Sequence, residues 1–322
     1  MKLFVQIPAY NEEATIGEVI AAIPRAVPGI ASVTVLVVDD GSEDDTSGVA
    51  LRAGAAHVVR HRRNQGLARA FRTGLDACLQ RGADVIVNTD ADHQYAGEAI
   101  ADLVRPIVEG RADVVIGDRR TAELRGVPWS KRLLYRIGDA VARRASQLDV
   151  ADASSGFRAF SRTAAAKLNV VSTFSYTLET LVQAGSERLA LVCVPIASNP
   201  RTRPSRLVRS LPEFVLRSLA AVVRTYVMYR PLRVLGGAGV LLLLGGLIPV
   251  ARFLILYLQG AGGGHVQSLV LGGTLFVAGF LCCLIGVVAD LIAFNRRLSE
   301  EVLERLRRLE AAAADRGPAA GS

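Results

Sequence analysis

The sequence predicts an α/β protein in which a mainly parallel, doubly wound sheet is followed by interfacial amphipathic helices and two transmembrane helices. Three observations predict it. Short β-branched runs alternate with helical stretches through roughly the first two hundred residues, the rhythm of a parallel sheet covered on both faces. Two apolar runs near the C-terminus each exceed the ~20 residues that cross a hydrocarbon core. The composition agrees, with 51% of 322 residues hydrophobic and a mean hydropathy of +0.32, high for a chain wholly in water.

The strand runs are Leu3 to Ile7, Val33 to Val38, Val58 to Val59, Val85 to Val87 and Val114 to Ile116, with a further strand at Gly156 to Phe160. Ile16 to Ile23, Leu67 to Leu79 and Ala99 to Val108 space their apolar residues at helical intervals. Polar clusters follow the first five strands in turn: PAYNEE, DDGSEDDT, HRRNQG, TDADHQ and GDRR. Ligands of such sheets bind at the carboxyl ends of the strands, so these clusters are the candidate site.

Beyond the sheet, LPEFVLRSLAAVVRTYVMYRP from Leu211 mixes three- and four-residue apolar spacing with arginines. That pattern predicts an amphipathic helix in the membrane interface, and a core-packed helix with a basic outer face would share it. Val234 to Leu258 carries Arg252 as its single charge and Val266 to Phe294 carries Asp290, so two spans are expected. Both charges lie toward span ends and read as snorkelling residues without a function of their own. The tail NRRLSEEVLERLRRLEAAAADRGPAAGS reads as a charged, solvated helix followed by a disordered end.

The net charge of +8 is unevenly spread. Eight arginines face Glu213 alone between residues 201 and 233, next to the first span, which points to anionic lipid or a phosphorylated substrate and not to nucleic acid. The connector Gln259 to His265 has no Lys or Arg while both outer flanks are arginine-rich, which places both termini in the cytoplasm. MKLFVQIPAYNEE is too soon broken by Gln6 and Pro8 to be a signal peptide. The four cysteines fit neither a disulfide framework nor a zinc site, in keeping with a reducing compartment.

The fourth cluster carries the chemistry. Alternate residues of an extended segment point the same way, so Asp90 and Asp92 present two carboxylates to one side of a strand end and require a compensating cation. Mg²⁺ or Mn²⁺ takes one or two carboxylates and completes its shell with substrate phosphates, and Gln94 adds a neutral oxygen. Acidic loop residues taken singly are more often solvated or cap the next helix; the position of this pair among the other clusters favours the metal.

In order, IPAYNEE, VVDDGSEDDT, NQGLARAFRTGL and DADHQ resemble the motifs of glycosyltransferase family 2, inverting nucleotide-sugar enzymes with a GT-A fold, across residues 1 to about 120. DASSGFRAFSR and RTRPSRL are similar to the acceptor-side motifs of polyprenyl-phosphate glycosyltransferases of the dolichyl-phosphate mannose synthase type. The resemblance implies that Pro8, Tyr10 and Glu12 enclose the nucleotide, Asp40 hydrogen-bonds the base, and Arg69 faces the diphosphate. Asp39 reads as a turn-closing residue. The resemblance further implies a metal held by Asp90, Asp92 and Gln94, and an acceptor phosphate met by Arg119, Ser155, Arg158, Arg201, Ser205 and Arg206. Asp118 stands where the family has Ser, and Arg206 where it has Lys.

The expected reaction moves a hexose from a nucleotide sugar, of the UDP-glucose or GDP-mannose class, to polyprenyl phosphate at the cytoplasmic membrane face. An ionised phosphate needs little help from a base, so the lack of an obvious catalytic His is no objection. Asp152 orients the acceptor, serves as a base, or closes a turn; the residues leave these readings open. The expected layout is a GT-A domain at 1–207, amphipathic helices at 208–233, a transmembrane hairpin at 234–294 and a charged tail at 295–322. A homo-oligomer, a tetramer among similar enzymes, is compatible with it. Two rivals are a processive polysaccharide synthase, which would carry Q-x-x-R-W and more spans, and a non-catalytic adaptor; the sole tryptophan, Trp129, lies in VPWSKR.

Overall fold

The computed structural model describes residues 1–119, 140, 142–144, 146–170, 176–197, 227, 231–260 and 266–315. The chain divides into two compact units, residues 1–222 with 300–322, and residues 223–299.

The first unit is built on seven strands: β1 (Lys2–Ala9), β2 (Ser32–Asp39), β3 (His57–Arg60), β4 (Val85–Asn88), β5 (Val114–Asp118), β6 (Arg158–Ser161) and β7 (Leu191–Pro195). Their order is β3-β2-β1-β4-β6-β5-β7. β1 pairs in parallel with β2 and β4, and β5 with β7, as the alternating pattern predicts. β6 is the exception, running antiparallel between β4 and β5 and setting Arg158 opposite both Asn88 and Ile116. The start of β6 therefore meets the ends of β4 and β5, and residues 152–157 arrive at the carboxyl edge of the sheet.

Helices α1 (Ile16–Ala22), α2 (Thr46–Arg52), α3 (Leu67–Gln80), α4 (Ala99–Val108), α5 (Arg162–Lys167) and α6 (Tyr176–Ser186) complete the unit. Alternation along β1 sends Leu3, Val5 and Ile7 into a core with Ile16, Ile20, Leu103 and Val104. Phe4 enters a second core with Phe71, Leu75, Phe160 and Ala164. Both faces of the sheet are thus covered, which is why the strands read as continuous apolar runs. Gln6 interrupts the β1 run: it is fully buried and donates from Nε2 to Asn88 Oδ1, its register partner, at 2.9 Å.

The second unit contains α7 (Gly237–Leu258), entered through a π-helical turn at Leu232–Gly236, and most of α8 (Val266–Asp315). Both are long and apolar enough to cross a membrane. They pack through glycines spaced by seven residues, Gly239 and Gly246 on α7 against Gly272, Gly279 and Gly286 on α8. A Cβ at Gly279 would lie 2.8 Å from Gly239 O, and one at Gly246 2.8 Å from Gly272 O. Arg252 and Asp290 are exposed on this pair of helices and do not pair with each other. Of the connector at 259–265, residues 261–265 lie outside the described residues, as do 208–226 and 228–230 of the amphipathic segment at 208–233.

α8 continues without a break into the tail, where the expected solvated helix gives way to a docked one. Arg307, 8% exposed, donates from Nη1 to Ala166 O (3.1 Å) and Leu168 O (2.8 Å) and pairs with Asp76 on α3 at 2.7 Å. It thereby caps the C-terminal carbonyls of α5.

Candidate active site

The carboxyl edge gathers the ends of β1, β2, β4 and β5 with the start of β6. Asn11 and His93 take left-handed backbone conformations, φ 53° and 58°, in the turns after β1 and β4. A non-glycine residue rarely adopts these values, and such outliers cluster at functional turns. The Thr15 hydroxyl, 2.7 Å from Ala91 O and 2.9 Å from Glu12 Oε2, ties the first cluster to the fourth. Pro8 and Glu12 are buried, Tyr10 is half-buried and Arg69 is exposed on the first turn of α3.

Asp90 follows β4, partly exposed at the edge of the sheet yet closely surrounded by protein. Burial, and then the charge of Asp92, pushes its carboxyl up to about 6. At Gly156 a Cβ would lie 2.9 Å from both Asp90 oxygens, so only glycine leaves that carboxylate in place. Asp92 accepts from Gln94 N (3.2 Å) and Gln94 Nε2 (2.7 Å). The Gln94 amide nitrogen thus holds the Asp92 carboxylate in place. Among the described residues no group of three or more His, Cys, Asp or Glu could hold a metal. Two carboxylates short of a countercharge nevertheless fit a hard divalent cation whose remaining ligands come from substrate phosphates and water.

β6 brings the acceptor-side motif against this pair. Arg119 meets Asp152 in a forked ion pair, Nε to Oδ2 at 2.7 Å and Nη2 to Oδ1 at 3.0 Å, with Ser154 Oγ 2.8 Å from Nη2. Burial works to raise the Asp152 carboxyl, but the hydrogen bonds and charge of Arg119, with help from Ser154, outweigh it and hold it below its ordinary value. A carboxylate so held is a poor base. Its partner Arg119 uses Nε and Nη2 in these bonds, and Nη1 makes no hydrogen bond among the described residues.

Arg158, Ser155 and Asp40 are placed otherwise than expected. Arg158 is fully buried and donates to Ser155 O (2.8 Å), Thr177 O (2.7 Å), Thr180 Oγ1 (2.7 Å) and Ala153 O (2.8 Å). It braces the 153–155 turn in place of meeting a phosphate, and Ser155 is buried inside the same turn. Asp40, 3% exposed, accepts from His61 Nδ1 (2.6 Å), Gln65 N (2.9 Å) and Gly66 N (2.8 Å). Its carboxylate therefore clamps the β3–α3 loop, leaving little capacity for a base. Gly41, φ 75°, lets that loop pack close, since a Cβ there would lie 2.5 Å from the Arg63 carbonyl carbon. Asp39 accepts from Ser42 N at 2.8 Å and closes its turn as expected. Arg201, Ser205 and Arg206 lie outside the described residues.

Sequence reasoning passed over Asn88, Tyr95, Gly156 and Tyr176. Asn88 Nδ2 donates to Gly156 O and Tyr176 Oη, both at 2.9 Å, and Gly156 N donates to Tyr95 Oη at 3.2 Å. The available signal was polarity where apolar residues are due: Gln6 and Asn88 sit inside otherwise hydrophobic strands.

A mainly parallel sheet with paired aspartates at its carboxyl edge and an antiparallel strand inserted beside them defines a GT-A nucleotide-sugar fold. Residues 4–168, half of the chain, match Glycosyl transferase family 2, and the chain belongs to that family. It is 29% identical over 211 residues to the polyprenol monophosphomannose synthase of Mycolicibacterium smegmatis, covering 62% of this chain and 78% of that one. It is 27% identical over 215 residues to the UDP-N-acetylglucosamine–dolichyl-phosphate N-acetylglucosaminyltransferase of Methanococcus voltae, covering 60% and 84%. Among solved structures it is similar to glucosyl-3-phosphoglycerate synthase from Mycobacterium tuberculosis with Mn²⁺, UDP-glucose and phosphoglyceric acid. That match has a TM-score of 0.55 and 28% identity, covering 69% of this chain and 79% of that chain.

Proposed function

We propose that this chain transfers a hexose from a nucleotide sugar, of the UDP-glucose or GDP-mannose class, to polyprenyl phosphate at the cytoplasmic face of a membrane, with inversion. The observation that carries the reading is the Asp90–Asp92 pair set against Gly156, with the Arg119–Asp152 pair on the neighbouring strand ends. Two relatives named for transfer to polyprenol or dolichyl phosphate support the acceptor, and the helices α7 and α8 support a membrane setting. The relatives and the solved neighbour are named for three different sugars, so the donor is left at the class.

Asp90 and Asp92 would hold Mg²⁺ or Mn²⁺, which supplies countercharge for a departing diphosphate. Tyr10, Glu12 and Arg69 border the donor. An acceptor phosphate oxygen, already ionised near neutral pH, attacks the anomeric carbon; the bond to the nucleoside diphosphate breaks and its electron pair leaves with that group. A single displacement inverts the configuration. Arg119, immobilised by Asp152, offers Nη1 to the acceptor and offsets repulsion between two anionic substrates, a task shared with Arg201, Ser205 and Arg206. Asp152 is the holder of that arginine. The domain layout is that of the sequence reading, with a catalytic domain at 1–207, interfacial helices at 208–233, a hairpin at 234–294 and a cytoplasmic tail at 295–322.

The test uses purified full-length protein in liposomes with Mn²⁺, polyprenyl phosphate and a panel of nucleotide sugars. A lipid-linked sugar is expected from one donor and is lost in Asp92→Ala with the fold intact. Absence of product from every donor, with retained binding of a protein partner, would make the chain an adaptor. Arg206→Ala is expected to raise KM for polyprenyl phosphate far more than for the donor, and equal effects would remove it from the acceptor site.

A further inference from the structure

The pairing of β4 with β6 ends just short of the paired aspartates. Its last register partners are Asn88 and Arg158, and the same antiparallel register carried two residues further sets Asp90 opposite Gly156. Beyond that last pair a side chain makes the link. Asn88 is fully buried and donates from Nδ2 to Gly156 O and to Tyr176 Oη, both at 2.9 Å. The Tyr176 hydroxyl donates to the same carbonyl at 3.3 Å, and its ring stacks on Phe71, centroids 4.0 Å apart and planes at 6°. On its other side Asn88 Oδ1 accepts from Gln6 Nε2 at 2.9 Å, and Thr89 N donates to Gln6 O at 3.1 Å. The backbone from which Asp90 departs and the glycine that faces it are thus both held by the same two buried residues.

We propose that Asn88, backed by Gln6, is a positioning residue for Asp90: it fixes Gly156 against the end of β4 and so sets the space in which the carboxylate lies. The proposal rests on the reading of Asp90 and Asp92 as metal ligands. Two physical points favour this role over a purely structural one. Apolar side chains would fill positions 6 and 88 of these otherwise apolar strands without the cost of desolvating two amides, which are tolerable only with partners in place. What a satisfied buried network adds is a single arrangement of its members. That arrangement bears directly on the carboxylate, since a Cβ at Gly156 would lie 2.9 Å from both Asp90 oxygens. A ligating carboxylate keeps its direction only when its surroundings hold it, and loss of such support typically weakens metal binding by about 10- to 100-fold. The link has a second consequence. Asp152, which holds Arg119, lies four residues before Gly156 on the same approach to β6, so donor-side and acceptor-side groups are set by one short segment.

The experiment titrates full-length protein in detergent with Mn²⁺ alone, following free Mn²⁺ by electron paramagnetic resonance. The double variant Gln6→Leu with Asn88→Leu replaces both amides by apolar groups of similar size, an exchange that leaves stability nearly unchanged. It is expected to raise the Mn²⁺ dissociation constant about tenfold, whereas a merely structural network would leave that constant where it was. Thermal unfolding checks that the variant is folded. Should it not fold, Tyr176→Phe decides in the same way: it keeps the stacked ring, removes the hydroxyl that joins Asn88 to Gly156 O, and is expected to weaken Mn²⁺ binding. Wild-type affinity in the folded variant overturns the positioning role. If the wild-type protein itself shows no saturable Mn²⁺ binding, the metal reading of Asp90 and Asp92 fails first, and the two failures are told apart by that control.

Discussion

At the scale of single residues, charges in this site do different work according to what desolvates them. Asp152 is 1% exposed and held by a forked arginine, so its charge is stabilising in the folded state. Because its folded pKa lies below the ordinary 3.8, that contribution is present above 3.8 and is lost as pH falls through the lower folded value. Asp152→Asn is expected to destabilise the protein at neutral pH by about 3 kcal/mol. The gap to wild type should narrow below pH 3.8 in urea unfolding, and a gap that persists unchanged there would mean the pair does not set it. Arg158 is expected to matter through the fold. Arg158→Met leaves four acceptors, three of them in buried bonds, without their donor and should cost on the order of 4 kcal/mol, read as a lowered thermal midpoint. Its burial was not legible because a lone Arg in SSGFR looks like an exposed cation. The acceptors that make burial tolerable come from a turn and from α6, up to 22 residues away.

At the scale of elements, the second unit depends on close approach of two helix backbones. In lipid no hydrophobic driving force holds apolar helices together, so small residues at the contact supply packing instead. Gly279→Leu should force α7 and α8 apart, lowering the thermal midpoint in micelles and lengthening the distance between spin labels on the two helices. Gly273→Leu, where a Cβ meets nothing within 4 Å, is the matched control and should change neither. In the first unit the tail helix is held by Arg307. Arg307→Ala leaves two terminal carbonyls of α5 and the Asp76 carboxylate without their partner, an expected loss of about 2–3 kcal/mol in urea unfolding. Span length and apolarity were plain in the sequence. The glycine seam and the docked tail were not, since each is defined by a partner helix.

At the scale of the whole molecule, two helices are long and apolar enough to cross a membrane; crossing twice would return the chain to the side on which it began, and the arginine-rich flanks predict the cytoplasm for that side. Epitope tags at residues 1 and 322 are expected to be protected together in intact spheroplasts and cleaved together after lysis. Tags protected on opposite faces would break the two-span reading. The proposed chemistry asks for a membrane setting, because a water-soluble donor and a lipid-anchored phosphate would meet only at a site beside the bilayer.

The sequence by itself determined the parallel α/β core, the succession of polar clusters at strand ends, the paired aspartates and the two apolar helices. Each is written in local periodicity or in adjacent residues, which the chain's own geometry converts into structure. Only the tertiary structure decided that β6 runs antiparallel between β4 and β5, and with it that Asp152 grips Arg119, Arg158 is a brace, Asp40 a loop clamp and Gly156 the floor beneath Asp90. Those roles follow from which groups lose water together and which donors reach them. That pairing joins residues tens of positions apart, and no repeat along the chain encodes it.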